Sequence, residues 1–86
     1  MPEFIAELYL SRADAGGAQI AAARAREAAA ALTQQGQSVR LLRTTHVPAD
    51  ETCFLAYEAA AAETVGEAGR LAGLDFERIV LAVEAR

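Results

Sequence analysis

The chain has 86 residues, a formal net charge of −4 and an apolar share of 53%, much of it alanine. That length fits one domain over residues 1–86 with a small core, which needs tight packing or a partner surface for stability. The acidic balance and the lack of a lysine-rich run argue against nucleic acid, whose binding rests on cations neutralising phosphates.

A lone cysteine cannot form an internal disulfide, and no apolar run approaches a membrane span. The start, Met-Pro-Glu-Phe, lacks the basic and apolar segments of a signal peptide. The expectation is a soluble, cytoplasmic protein.

Taken in order, Phe4 to Leu10 alternates and reads as a strand. Phe4, Ala6, Leu8 and Leu10 share one face; Ile5, Glu7 and Tyr9 share the other. Ser11 to Gly17 is a loop in which Asp14 is placed to cap a helix. Ala18 to Gln35 contains no helix breaker. Its apolar stripe is Ala21, Ala25, Ala28 and Leu32, flanked by Ile20 and Ala29, and Gly36 stands at the C′ position. So small-sided a stripe brings a helix close to its sheet while burying modest area, at about 25 cal/mol per Å².

Val39 to His46 and Thr52 to Tyr57 are rich in β-branched and aromatic residues and read as a hairpin around Val-Pro-Ala-Asp-Glu. Pro48 suits the corner, and Asp50 can bond its own backbone there. Ala59 to Ala72 follows as a second helix with Ala61, Val65, Ala68 and Ala72 inward. Gly66 and Gly69 weaken it by roughly 1 kcal/mol each. They fit either a helix held by tertiary packing or the close approach of another backbone or a ligand. Gly73 ends it. Phe76 to Glu84 is the last strand, with Ile79, Leu81 and Val83 on one face and Val80, Ala82 and Glu84 on the other.

The order strand–helix–strand, strand–helix–strand is the α+β, ferredoxin-like βαββαβ arrangement. Right-handed crossovers give an antiparallel four-stranded sheet of order 4-1-3-2 with both helices on one face. The other face then carries Ile5, Glu7, Tyr9, Phe54, Ala56, Glu58, Val80 and Ala82. That is too apolar to leave in water, so a homodimer through this face is expected.

Within that frame MPEFIAEL, the aromatic-rich TCFLAYEAAAAETV and RLAGLDFERIVLAVEA carry a resemblance that spans nearly the whole chain. Their order and spacing resemble a family of small ferredoxin-like proteins of unknown function that includes a nickel-binding branch. The chain departs from it in two places. Ala60 and Ala61 replace the family's Pro-Ser at the start of helix two. The branch's helix-two histidines are also missing, and Gly66, Arg70 and Leu74 of GEAGRLAGL cannot coordinate nickel as imidazole does.

The candidate ligand-binding residues are Glu7, Tyr9, Thr44 and His46. If Val39 and Leu41 face the helices, parity puts Leu42, Thr44 and His46 on the open face near Glu7 and Tyr9. A carboxylate, a phenol and an imidazole can do acid–base chemistry or, with water, hold a divalent metal, the one cofactor considered. The same parity points Arg43 under the helices and puts Cys53 and His46 on opposite faces. Cys53 reads as a small buried hydrophobe.

Phosphate loops, Ser-His-Asp sets and CxxC pairs are absent, so no catalytic constellation stands out. The readings are a homodimeric binding module for a small ligand or divalent metal, a cofactor-free enzyme of the dimeric α/β-barrel kind (isomerase or oxygenase), and a purely structural domain. The enzyme reading rests on analogy of fold.

Overall fold

The computed structural model describes residues 1–85. The chain runs β1 (Glu3–Tyr9), α1 (Gly17–Gln34), β2 (Val39–Val47), a short 3-10 turn (Pro48–Asp50), β3 (Thr52–Ala59), α2 (Ala62–Ala72) and β4 (Phe76–Ala82). The strands form one antiparallel sheet of order β2-β3-β1-β4. This is the ferredoxin-like βαββαβ topology read from the sequence, in the strand order expected.

Both helices close as their glycines require. Gly36 and Gly73 have positive φ of 93° and 72°. Past α1, the Gly36 N–H donates to the Thr33 carbonyl and the Gln37 N–H to that of Leu32. Past α2, the Gly73 N–H donates to the Arg70 carbonyl and the Leu74 N–H to that of Gly69. These are the paired bonds of the Schellman motif, which satisfy carbonyls left over at a helix end.

The helix starts differ from expectation. Asp14 does not cap α1: Gly16 holds the N-cap position without a side-chain bond. The Asp14 carboxylate lies instead where a side chain on Gly17 would collide with it. Helix two begins three residues later than expected, because β3 continues to Ala59 and pairs there with Val39.

The core lies between sheet and helices. Ala21, Ala25, Ala28, Ala29 and Leu32 of α1 and Val65, Ala68 and Ala72 of α2 are buried, while Ile20 is 56% exposed and outside the stripe. From the sheet come Phe4, Ala6, Val39, Cys53, Leu55, Tyr57 and Ala59. Gly69 lets α2 lie close over β4: a Cβ there would lie 2.5 Å from the Phe76 ring. Gly69 therefore serves a close approach by a ring of the same chain. Gly66 meets only ordinary contacts. Phe76 in turn meets Tyr57 edge-on, with centroids 6.1 Å apart. Leu81 pairs with Phe4 on the helix side, yet it is 60% exposed, because the eleven-residue α2 leaves that end of the edge strand uncovered.

The hairpin register holds one surprise. Leu41 pairs with Tyr57 and Arg43 with Ala56, so Leu42 is an extra residue, a β-bulge. Parity reverses beyond it. An unbulged β2 would aim Arg40 outward and Arg43 beneath α1, and burying a guanidinium without a partner is costly. One interrupted ladder position lets both arginines face out.

Candidate functional site

The bulge redistributes the candidate residues. Thr44 pairs with Leu55 and His46 with Cys53, so both point to the helix side, contrary to the expected open-face position. His46 and Cys53 are thereby direct neighbours on the same face, not on opposite faces. Glu7 and Tyr9 remain on the open face as expected, and Tyr9 is 58% exposed. The structure does not bring the four residues together. Two stay on one side of the sheet and two lie on the other.

On the helix side the polar groups are starved of partners. Among the described residues the Thr44 hydroxyl, His46 Nε2 and the Tyr57 hydroxyl are buried without a hydrogen bond. Burial pushes the Cys53 thiol pKa up, which disfavours the thiolate that nucleophilic chemistry needs. Burial also pushes the Tyr57 phenol well above its usual range. Such groups fit a rigid core better than a reaction centre.

The open face is arranged otherwise. Its centre is Ile5, flanked by Ala56 on β3 and Val80 on β4, with Phe54 one pair further along opposite Glu7. Cross-strand ion pairs frame it: Arg43 to Glu3 at 2.9 Å, Arg40 to Glu58 at 3.3 Å and Arg78 to Glu7 at 3.3 Å. Each arginine is more than half exposed, so these pairs bring little stability and chiefly keep the carboxylates partnered.

Two shallow hollows share Ile5 and Arg43. One, of about 310 Å³, is lined by these two with Thr45, Phe54 and Ala56. The other, of about 270 Å³, lies toward Glu3 and Ala82. The expectation that Arg43 points under the helices is corrected by its pairing with Ala56, and Thr45 and Arg78 were not singled out in the sequence. The Leu41-Leu42 doublet was the available signal for Arg43 and Thr45, because two adjacent leucines break the alternation and reset its phase.

The arrangement can hold a small molecule with an apolar body and an anionic or hydrogen-bonding edge, the latter meeting the Arg43 guanidinium and the Thr45 hydroxyl. Among the described residues no three of His, Cys, Asp and Glu group as metal ligands. Among the described residues no helix is long and apolar enough to cross a membrane.

No family model matches the chain, and no curated protein is similar enough in sequence to count as a relative. Among solved structures the chain is similar to SCO4226 from Streptomyces coelicolor A3(2), with a TM-score of 0.72, 18% identity, and 98% of this chain and 99% of the other covered. At that identity the likeness is one of fold, over the full length of the ferredoxin-like domain.

Proposed function

We propose that this protein is a homodimeric binding module for a small ligand, two copies meeting through the open faces of their sheets. The observation that carries this reading is the strip of Ile5, Phe54, Ala56 and Val80 on a sheet face that no helix covers. Ile5, Phe54 and Val80 are each already partly buried in one chain, so covering them contributes only a fraction of the about 1.5–3 kcal/mol each of a full burial, before the costs of association. The ion pairs answer the objection that carboxylates on such a face need partners, since Glu3, Glu7 and Glu58 each have an arginine. Face-to-face packing would also enclose the hollows beside Arg43, turning shallow depressions into a pocket shared by two chains.

A divalent metal has less support as the occupant. The open-face carboxylates already face arginines, and the helix-two histidines of the resembling nickel-binding branch are absent. Titration with nickel should give no submicromolar stoichiometric site; one nickel per chain at that affinity would overturn this part of the reading.

Sedimentation velocity tests the dimer. The wild type should sediment as a dimer at tens of micromolar, and Ile5→Asp should give a folded monomer, by the mass action that couples association to concentration. A well-folded wild-type monomer at that concentration would remove the proposal and the shared pocket with it.

A further inference from the structure

A hollow larger than either of those on the open face lies elsewhere. It is a groove of about 620 Å³ between the last turns of α1 and the edge strand β2. Its helix wall is one face of α1: Arg26, Ala29, Ala30 and Thr33, spaced three and four apart. Its strand wall is Val39 and Leu41. The groove exists because the middle of the helix wall, at Ala29 and Ala30, offers only methyl groups, and because no strand lies beyond β2 to fill the space.

The groove's far end is fixed. The Thr33 hydroxyl donates to the Val39 carbonyl at 2.9 Å and accepts from the Val39 N–H at 3.2 Å. Strand and helix are thus pinned to each other where the groove ends, so its width does not depend on loose side chains.

Charge decides the occupant. The lining carries two arginines and one glutamate. Arg40 and Glu58 pair with each other at 3.3 Å, which leaves Arg26 as the uncompensated charge. Among the described residues Arg26 makes no ion pair, in a chain whose net charge is −4. The wall between Arg26 and Gln34 is about 12 Å long at 1.5 Å per residue. A cation at one end of a methyl-lined trough of that length suits a linear amphipathic carboxylate, with its head on the guanidinium and its chain along Ala29, Ala30, Val39 and Leu41.

We infer that the groove between α1 and β2 binds a medium-chain fatty acid, with Arg26 holding the carboxylate. The groove lies on the helix side and reaches the open face only at the Arg40–Glu58 pair, and neither reading depends on the other.

The test is titration of the folded protein with decanoate, followed by amide chemical shifts, with decanol as the uncharged comparator. Decanoate should give saturable shifts at Ala29, Ala30, Val39 and Leu41 in the millimolar range or below. Arg26→Gln should weaken decanoate by roughly tenfold, the scale of a lost charge-assisted bond, and leave decanol unchanged. Ala30→Leu, a good helix former on an exposed position, should block both ligands while the spectrum stays folded. The inference is overturned by absence of saturable shifts in the groove, by equal binding of decanoate and decanol, or by shifts confined to Ile5, Phe54 and Ala56. The last result would assign the ligand to the open face instead.

Discussion

Tyr57 and Tyr9 show how differently the two faces of this sheet are built. Tyr57 is fully buried, lacks a hydrogen bond for its hydroxyl and meets the edge of Phe76. Tyr9 is 58% exposed beside the Arg78–Glu7 pair. The helix side is apolar, closely packed and tolerant of unpartnered hydroxyls. The open side is apolar only along its centre, and Glu3, Glu7 and Glu58 on it each face an arginine. The helix side has the character of a core, and the open side that of a rim-and-centre surface such as an interface presents.

The largest expected effect tests the first half of that contrast. Leu55→Ala removes a fully buried side chain, and it should cost about 2–5 kcal/mol in chemical denaturation. The loss should be the same at low and high protein concentration, because Leu55 lies on the face away from the proposed partner. A concentration-dependent loss would mean that the helix side also contacts a second chain.

Gly69→Ala should come next, at about 1–3 kcal/mol, since the added methyl group meets the Phe76 ring. Phe76→Leu in the same chain should recover part of it. No recovery would mean that the cost arises elsewhere.

A smaller effect is expected from pH. Cys53 and Tyr57 both have folded-state pKa values raised by burial. In the unfolded chain they titrate near about 8.5 and about 10. Below those values their contributions are complete. As pH rises past them, the unfolded chain releases protons that the folded chain retains, so stability falls. Tyr57→Phe should flatten the fall above pH ~10 and change neutral-pH stability little, because the hydroxyl has no partner to lose. An unaltered alkaline slope in that variant would show that the phenol is not the group responsible.

The smallest effect belongs to the open face. Arg43→Gln breaks the Arg43–Glu3 pair, whose arginine side chain is 60% exposed in one chain, and at concentrations low enough to keep the chain monomeric should cost no more than about 1 kcal/mol of stability. A larger loss that appears only where the wild type dimerises would agree with the proposed interface, and a loss of several kcal/mol in the monomer would mean that the pair is buried within one chain.

Most of the fold was legible because its signals are local. The alternation of Phe4 to Leu10, the uninterrupted helical run after Gly17 and the glycines at 36 and 73 each specify structure within a few residues. The topology followed from the element order and the handedness of crossovers. Half of the candidate site was misplaced for a different reason. Whether β2 continues in phase past Leu42 depends on which side of the sheet can tolerate Arg43, and that is a tertiary question. Strict period-2 reading gave Thr44 and His46 to the wrong face. The start of α2 was misread similarly: alanine favours a helix, but Ala59 is taken into the sheet by its pairing with Val39.

The bulge at Leu42 has a further consequence for life in a crowded solution. β2 is the longest strand and lies at the sheet's edge, with one row of backbone groups unpaired. A long, regular edge is a template on which another chain can add and propagate a fibril. Leu42 interrupts that template near its middle, and exposed Arg40 and Arg43 stand on either side of the break. Removing Leu42 would leave Val39 to Leu41 and Arg43 to Val47 on the faces they already occupy, so the fold should survive the deletion. What the shortened chain would lose is the irregularity that keeps its edge from being copied, and thioflavin-binding aggregates on prolonged incubation are the expected sign.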